Sequence, residues 1–431
     1  MTSAPKKGLF SWYFRTNLLW RILIGLILGV LAGMLFKDKI LWVDPLGKVF
    51  VRLLQMIVMP LIISTLVVGA ANVSPVRLGR AGVKIVVFYL VTSGLAVAIG
   101  LALANLFKPG LGLHLQSSAE AAGKELNAPS LMDTFLNIIP TNIFKSIAAG
   151  DVLPVIFFSI LFGIGVSYLR ASHEEPLAKA GEVLFSVFNA IAEVMFKVVR
   201  WIMEYAPIGV FALLAVVFAK ESANIVGSLT TVISATYIGF VLHLVFIYGA
   251  FLLINRLSLR TFVQKARPAM LTSFVTRSSS GTLPLTMMCC DKMGMSREIS
   301  SFTLPLGATI NMDGTAIYQG VCAMFIAYAI GYDLSLAQQL TIIITAVLAS
   351  VGTAGVPGAG AIMLLIVLKS VGLDIEEGSA VAAAYAMILG IDSILDMGRT
   401  SLNVTGDMAG TALVSKSEGL LDKAQYDRIT S

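Results

Sequence analysis

Asp392-Ser-Ile-Leu-Asp396-Met-Gly-Arg399-Thr-Ser-Leu-Asn403-Val-Thr-Gly-Asp407 is the stretch on which the reading of this chain turns. Asp392, Asp396, Arg399, Asn403 and Asp407 are spaced 4, 3, 4 and 4 residues apart. At roughly 100° per residue they share one helical arc of about 80°. The flanks are apolar: Val381-Ala-Ala-Ala-Tyr-Ala-Met-Ile-Leu-Gly390 before, Met408-Ala-Gly-Thr-Ala-Leu-Val414 after. A charge at mid-bilayer costs from about 3 to over 10 kcal/mol, so this stripe needs partners and marks a functional site.

The rest of the chain agrees that the medium is a membrane. Its 431 residues are 57% hydrophobic and 13% charged, with mean hydropathy +0.86. Soluble domains carry about 25% charged residues. No sizeable soluble domain is expected. The formal charge of +6 is a topology signal, not a sign of nucleic-acid binding, because the basic residues sit in short loops. Cys289, Cys290 and Cys322 lie in or beside apolar segments and are expected to be free thiols. Lys6, Lys7, Arg15 and Arg21 precede an apolar run, Ile22 to Phe36, that predicts an uncleaved first span.

Apolar segments fall near 17–37, 45–71, 82–107, 131–169, 182–219 and 226–254. Arg77, Arg80 and Lys84 follow the second, and Arg256, Arg260, Lys265 and Arg267 follow the sixth. This places the N-terminus inside through six spans. Residues 108–130 predict a flexible external loop. Segment 268–290 then breaks the alternation. Its middle is Thr276-Arg-Ser-Ser-Ser-Gly-Thr282 and both flanks are basic, which predicts a re-entrant hairpin with its tip at Ser278–Gly281. Segment 337–370 repeats this from the other face. Its middle is Ser350-Val-Gly-Thr-Ala-Gly-Val-Pro-Gly-Ala-Gly360, and its flanks carry Asp333, Asp374, Glu376 and Glu377. Irregular backbone at membrane depth survives only when buried in protein or lining a wet cavity. Hairpin and helix thus occur twice from opposite faces, 258–293 with 296–331 and 337–370 with 378–412. That is an inverted repeat with its site where the broken segments meet. The helix of the first copy is predicted to unwind at Asn311-Met-Asp-Gly-Thr315.

Hairpin tips and half-helix N-termini at mid-membrane favour carboxylates. Arg399 adds a planar fork for a second carboxylate. Asp396 can pair with a substrate ammonium or with Arg399 itself. The combination fits an acidic amino acid. Asn311, Asp313, Asn403, Asp407 and the unwound carbonyls are oxygen donors for a hard cation. His114, His173 and His243 are too scattered for a transition-metal site, and sodium suits reversible binding.

Arg277-Ser-Ser-Ser-Gly-Thr282, Asn311-Met-Asp-Gly-Thr315, Gly352-Thr-Ala-Gly-Val-Pro-Gly-Ala-Gly360, Asp396-Met-Gly-Arg-Thr400 and Asn403-Val-Thr-Gly-Asp407 resemble the glutamate/aspartate:sodium symporter family. This is the dicarboxylate/amino acid:cation symporter family of the excitatory amino acid transporters, and the likeness is closest to archaeal sodium–aspartate transporters. It covers nearly the whole chain. The resemblance implies an all-α polytopic fold of eight transmembrane helices and two re-entrant hairpins, in a homotrimer working by an elevator mechanism. Scaffold helices 1 and 2 would occupy 1–81, transport-domain helix 3 would occupy 82–110, scaffold helices 4 and 5 would occupy 111–225, the transport core 226–415 and a cytoplasmic tail 416–431. The setting would be the plasma (inner) membrane with both termini cytoplasmic, surrounded by lipid.

Carried over residue by residue, Arg399 would hold the substrate side-chain carboxylate and Asp396 the ammonium. Ser278, Ser279, Thr315, Thr400 and Asn403 would complete the pocket, with backbone near Val356 and Gly360. Asp392 would brace Arg399, and Arg277 would sit nearby. Three sodium sites are implied. One uses Gly307, Asn311, Asn403 and Asp407. A second uses Thr309, Ser350, Val351 and Thr353. A third uses Tyr89, Thr92, Ser93, Asn311 and Asp313. Members carrying C4-dicarboxylates lack the equivalent of Asp396, and neutral amino acid carriers lack that of Arg399; both residues are present here. The resemblance therefore implies sodium-coupled uptake of L-aspartate or L-glutamate, with a proton-coupled or C4-dicarboxylate carrier as the alternative.

Other readings have less support. A hydrolase built on Ser278–Ser280 needs an activating base, and the core segments supply none. His243 reads as a packed, hydrogen-bonded residue. A channel calls for a ring of like charge, which a mixed Asp/Arg stripe does not give.

Overall fold

In hydrocarbon a chain must satisfy its own N–H and C=O groups, and helix does so within each segment. The computed structural model of the protein follows this rule. It describes residues 16, 18–72, 75–113, 115, 136, 138–220, 225–350, 358–376 and 379–428. Among these the structure is helical, with a lone antiparallel bridge between Met295 and Leu421. The helices are α1 (Leu18–Phe36), which runs through a 3-10 segment (Lys37–Val43) into α2 (Asp44–Asn72), then α3 (Pro75–Phe107), α4 (Ile143–Ala149), α5 (Val152–Arg170) and α6 (Glu175–Lys220). Next comes α7, Ile225–Leu242 continued by a π-turn at His243–Tyr248 and by Gly249–Ile254. Then follow α8 (Leu259–Thr276), α9 (Ser279–Lys292), α10 (Arg297–Ile310), α11 (Asp313–Ala329), α12 (Leu336–Ser350), α13 (Ala359–Ser370), α14 (Ala380–Ser417) and α15 (Lys423–Asp427).

By length and composition five described stretches can cross a membrane, the first of them combining α1 with α2. The others are Arg80–Phe107, Glu175–Ala219, Ile225–Ile254 and Ala380–Ser417. The apolar part of α5 is shorter, and α10 and α11 are each cut short by the break between them. Leu35, Trp42, Trp201 and Ile254 are each at least 70% exposed, an outer surface suited to lipid and not to water.

The helices sort into two packed groups. α1, α2, α5 and α6 pack on one another, and α3, α7 and α8–α14 form the other group. In the first group Gly25, Gly29 and Gly33 lie on one face of α1. A Cβ on Gly29 would stand 2.5 Å from the Phe211 carbonyl, and one on Gly33 would stand 2.5 Å from that of Ala215. The two backbones touch, as small residues at four-residue spacing allow.

In the second group the two hairpins flank the centre. α8 and α9 are joined at Arg277, in the left-handed region at φ 54°, and at Ser278, whose Oγ caps α9 by accepting from Gly281 N at 3.0 Å. The turn therefore lies at Arg277–Ser278. Ser279–Gly281, expected at the tip, form the first helical turn because Ser278 caps them. α12 and α13 meet through residues 351–357, which are outside the described set, and Gly358 at φ 82°. The break in the first helix is also narrower than expected. Only Asn311 and Met312 leave the helix, while Asp313, Gly314 and Thr315 open α11. Asn403 of α14 explains this, because its Oδ1 accepts from Gly314 N at 2.7 Å and caps α11 from outside. The basic run at Arg77, Arg80 and Lys84 forms the start of α3 and not a loop, because Pro75 suits the first helical position. Most of the expected external loop at 108–130 lies outside the described residues.

Every residue of α11 is buried. In α14, 78% of the most apolar window lies inside the protein, against 33% in α7. α11 and α14 are thus the core, and the polar stripe lies inside it.

Replacing Gly29 by Leu should force α1 away from α6 at a cost of about 1–3 kcal/mol. The check is the melting temperature of the purified variant in detergent, which should fall while that of Gly165→Leu, at an open position, holds.

Candidate functional site

Arg399 is 1% exposed, and its surroundings show how that is sustained. Its Nη2 and Nε donate to Asp396 Oδ1 at 2.7 and 3.1 Å, and Nη1 donates to Asp392 Oδ1 at 3.3 Å. The guanidinium carbon lies 4.6 Å from the centroid of the Tyr318 ring, a cation–π contact. Thr400 Oγ1 donates to Asp396 Oδ1 at 3.2 Å, and Gly358 N of the second hairpin donates to Oδ2 at 3.3 Å. Gly360 leaves room for the guanidinium, which a Cβ there would displace. The helical spacing that the sequence displays thus assembles an acid–base–acid cluster, with the second hairpin pressed against it.

One turn further along α14 the break between α10 and α11 is stitched in. Asn311 Nδ2 donates to Asn403 O at 3.0 Å and to Asp407 Oδ1 at 2.9 Å. Asn403 Nδ2 donates to Met312 Sδ at 3.1 Å and reaches Thr315 Oγ1 at 3.4 Å. A Cβ on Gly307 would lie 2.5 Å from Asp407 Oδ1 and 2.6 Å from the Tyr89 hydroxyl, so those two oxygens converge there. Among the described residues Asn311 Oδ1 is buried without a hydrogen-bond partner. Buried polar atoms are normally satisfied, and a carbonyl oxygen left open beside a carboxylate and a phenol is the donor set of a hard cation.

A third cluster surrounds Asp313. Ser93 Oγ donates to its Oδ1 at 2.6 Å, Tyr248 donates to Oδ2 at 2.8 Å, and His243 Nε2 lies 3.0 Å from the same oxygen. Tyr89 and Thr92 are buried nearby on α3, with Thr92 Oγ1 donating to Tyr89 O at 3.2 Å. His243 is packed and hydrogen-bonded, as expected, and its partner is Asp313, one of the residues expected at a cation site. Tyr248 and Tyr318 were not foreseen. The π-turn accounts for Tyr248. Residues five apart diverge by about 140° on an α-helix, whereas a π-turn closes i to i+5 and brings them together. His243 and Tyr248 so meet edge to face, with centroids 4.7 Å apart. No sequence motif announces a π-turn. Tyr318, three residues after Thr315, could have been found by helical spacing.

The other expected residues are placed less decisively. Arg277 and Ser278 form the turn of the first hairpin, half-buried, and Ser279 is buried behind it. The hydroxyls of Thr309 and Ser350 bond within their own helices, to Leu306 O at 3.0 Å and Val347 O at 2.7 Å. Val351, Thr353 and Val356 lie outside the described residues. Among the described residues no group of three or more His, Cys, Asp or Glu could hold a metal ion. The three cysteines are free and buried.

A helical membrane protein with a cluster of buried charge, packed against the second hairpin and beside the α10–α11 break, is the class that fold and site define. The sodium:dicarboxylate symporter family profile matches residues 18–417, and the chain belongs to that family. It is 36% identical to the proton/glutamate-aspartate symporter of Escherichia coli (strain K12) over 435 residues, which is 96% of each protein. It is 36% identical over 419 residues to the proton/sodium-glutamate symport protein of Bacillus caldotenax, covering 94% of this chain and 95% of that one. The C4-dicarboxylate transport protein of Rhizobium johnstonii is 33% identical over 429 residues, 98% of this chain and 93% of that protein.

Breaking one side of a buried ion pair costs about 3–5 kcal/mol. Asp396→Asn should therefore lower the melting temperature more than Asp392→Asn, because Asp396 takes two of the three Arg399 hydrogen bonds. Equal losses in a thermal-shift assay would refute this ranking.

Proposed function

We propose that the protein is a secondary active symporter that couples uptake of an acidic amino acid to sodium entry, with L-aspartate favoured and L-glutamate also accepted. The single observation that carries this reading is Arg399, fully buried and bracketed by two carboxylates. In this reading the substrate's side-chain carboxylate takes the Arg399 fork. Its ammonium takes Asp396 Oδ2, whose one described donor is Gly358 N. Thr315, Thr400 and Asn403 line the pocket, with Ser278, Ser279, Val356 and Gly360 as the further proposed contacts. Asp392 holds the guanidinium plane, and Arg277 adds positive charge at the entrance.

Charge supports cation coupling. Asp313, Asp392, Asp396 and Asp407 are all buried, and the guanidinium bonded to this set is that of Arg399, while an acidic amino acid brings further negative charge. Unpaired charge in a low-dielectric interior is very costly. Sodium ions are the proposed compensation, three per substrate. The first takes Gly307, Asn311, Asn403 and Asp407. The second takes Thr309, Ser350, Val351 and Thr353. The third takes Tyr89, Thr92, Ser93, Asn311 and Asp313. Sodium is cargo here, not a resident cofactor.

For the mechanism we propose eight transmembrane helices and two re-entrant hairpins in a homotrimer of the plasma membrane, with both termini cytoplasmic. α1, α2, α5 and α6 would be the fixed scaffold. The group of α3 and α7–α14 would carry the site across the membrane as an elevator. Proton coupling is the second reading, favoured by the names of two relatives.

Uptake of labelled L-aspartate by proteoliposomes tests the proposal. It should require an inward sodium gradient and resist competition by succinate. Uptake driven by a proton gradient alone would overturn the sodium assignment. Arg399→Ala should lose about 2–5 kcal/mol of aspartate binding, roughly thirtyfold or more in affinity. Asp407→Asn should raise the sodium concentration needed for half-maximal binding. Undiminished aspartate affinity in the first variant would sink the role given to Arg399.

A further inference from the structure

The residues after α14 were expected to be a tail, yet they are sewn onto the first hairpin. Gly419, at φ 73°, ends α14 and turns the chain back. Leu421 bridges Met295, Ser296 N donates to Leu420 O at 3.2 Å, and Asp422 N donates to Gly294 O at 2.8 Å. Gln425 Nε2 donates to Asp291 O at 2.8 Å, at the end of α9. Lys265 Nζ, on α8, donates to both Gln425 O at 2.5 Å and Lys292 O at 3.2 Å. Tyr426 is fully buried, and its hydroxyl donates to Ser258 O at 3.0 Å, just before α8 begins. Burial, with Asp427 nearby, holds that hydroxyl above its usual pKa, so it stays a donor. Lys84 of α3 closes the other side by pairing with Glu418 and donating to Ser417 Oγ.

These contacts grip the hairpin at its entry, on both arms and at its exit. The opposite end is open: Val275 is 71% exposed, and Thr276, Ser280 and Gly281 are exposed beside it. Between its two ends the hairpin lies along α14, where Ser401 Oγ donates to Met270 O at 3.0 Å, so this contact and the grip on the base together set how the hairpin sits. The arms are continuous helices of 18 and 14 residues carrying Pro268 and Pro284, and each runs from the base to the turn, so a shift at Ser258 or Gly294 is carried to Ser278.

We infer that residues 418–428 are a strap that fixes the base of the first hairpin and thereby sets the position of its Ser278–Ser279 turn, with Tyr426 as the positioning residue. The mechanical part stands on the contacts alone. Its consequence for substrate rests on the symport reading.

Hydrogen exchange measured by mass spectrometry on the purified full-length protein tests it, with two variants that release the strap from opposite sides. Tyr426→Ala removes the buried anchor. Gly294→Val places a Cβ 2.6 Å from Asp422 O and strains a position at φ 75°. Both should speed exchange of amides 270–285 at least tenfold and leave α11 and α13 unchanged. Tyr426→Phe keeps the ring and should return the tip to within threefold of the parent. The half-saturating aspartate concentration should rise threefold or more in the two releasing variants, with the maximal rate kept. Faster exchange confined to 418–431, or spread evenly over the whole chain, would overturn the strap. A freed tip with unchanged half-saturation would overturn the positioning role and leave the symport reading standing. A parent that transports no aspartate would sink the symport reading, and the exchange result would still decide the strap.

Discussion

The burial of one guanidinium governs the architecture. Arg399 cannot face lipid, so α14 cannot lie at the rim. It must be surrounded, and every element around it contributes a specific group: Tyr318 from α11, the Gly358–Gly360 backbone from the second hairpin, and Asp392 and Asp396 from its own helix. The glycines follow from this demand. A side chain at 360 would displace the guanidinium, and one at 314 would strike the Arg399 carbonyl. The charge therefore dictates where backbone must come close, and the close approaches fix how the helices cross.

Asn403 extends this logic along the stripe. Its amide caps α11, contacts Met312 and Thr315, and its backbone carbonyl receives Asn311. One residue of an unbroken helix so sets the geometry of a broken one. The same two-residue break serves the anion cluster on one side and the oxygen cluster at Asp407 on the other. In the proposed symport, a cation that satisfies Asn311 Oδ1 would act on a residue bonded directly to the backbone of the polar stripe. That would give coupling a short physical route, through contacts and not through distance.

Much of this was legible in the sequence. The 4-3-4-4 spacing gave the stripe, because ionisable residues in an apolar run are rare and costly. Polar or glycine-rich centres in apolar segments gave the two broken segments. What stayed hidden depends on register and tertiary contact. Asp313 looked unwound by composition but is helical, since Asn403 caps the helix from ninety residues away in sequence. His243 was read rightly as packed, but its partner could not be named, because the π-turn that aims it leaves no local signature. The docking of 418–428 was invisible for the same reason: Tyr426 in a polar segment looks like an ordinary surface residue until Ser258 is placed beside it.

The stripe lies on the last long helix of the chain, and this bears on how the protein is made. Chains fold from the N-terminus during synthesis, and each ionised residue at a helix centre opposes insertion by about 2.5–3.5 kcal/mol. With three aspartates and an arginine, α14 is a poor candidate to enter a bilayer alone. When it leaves the ribosome, however, Asn311, Gly314, Tyr318 and Gly358 have already been synthesised. The most expensive helix thus arrives when its partners are waiting, and the order of the genetic text doubles as an assembly schedule.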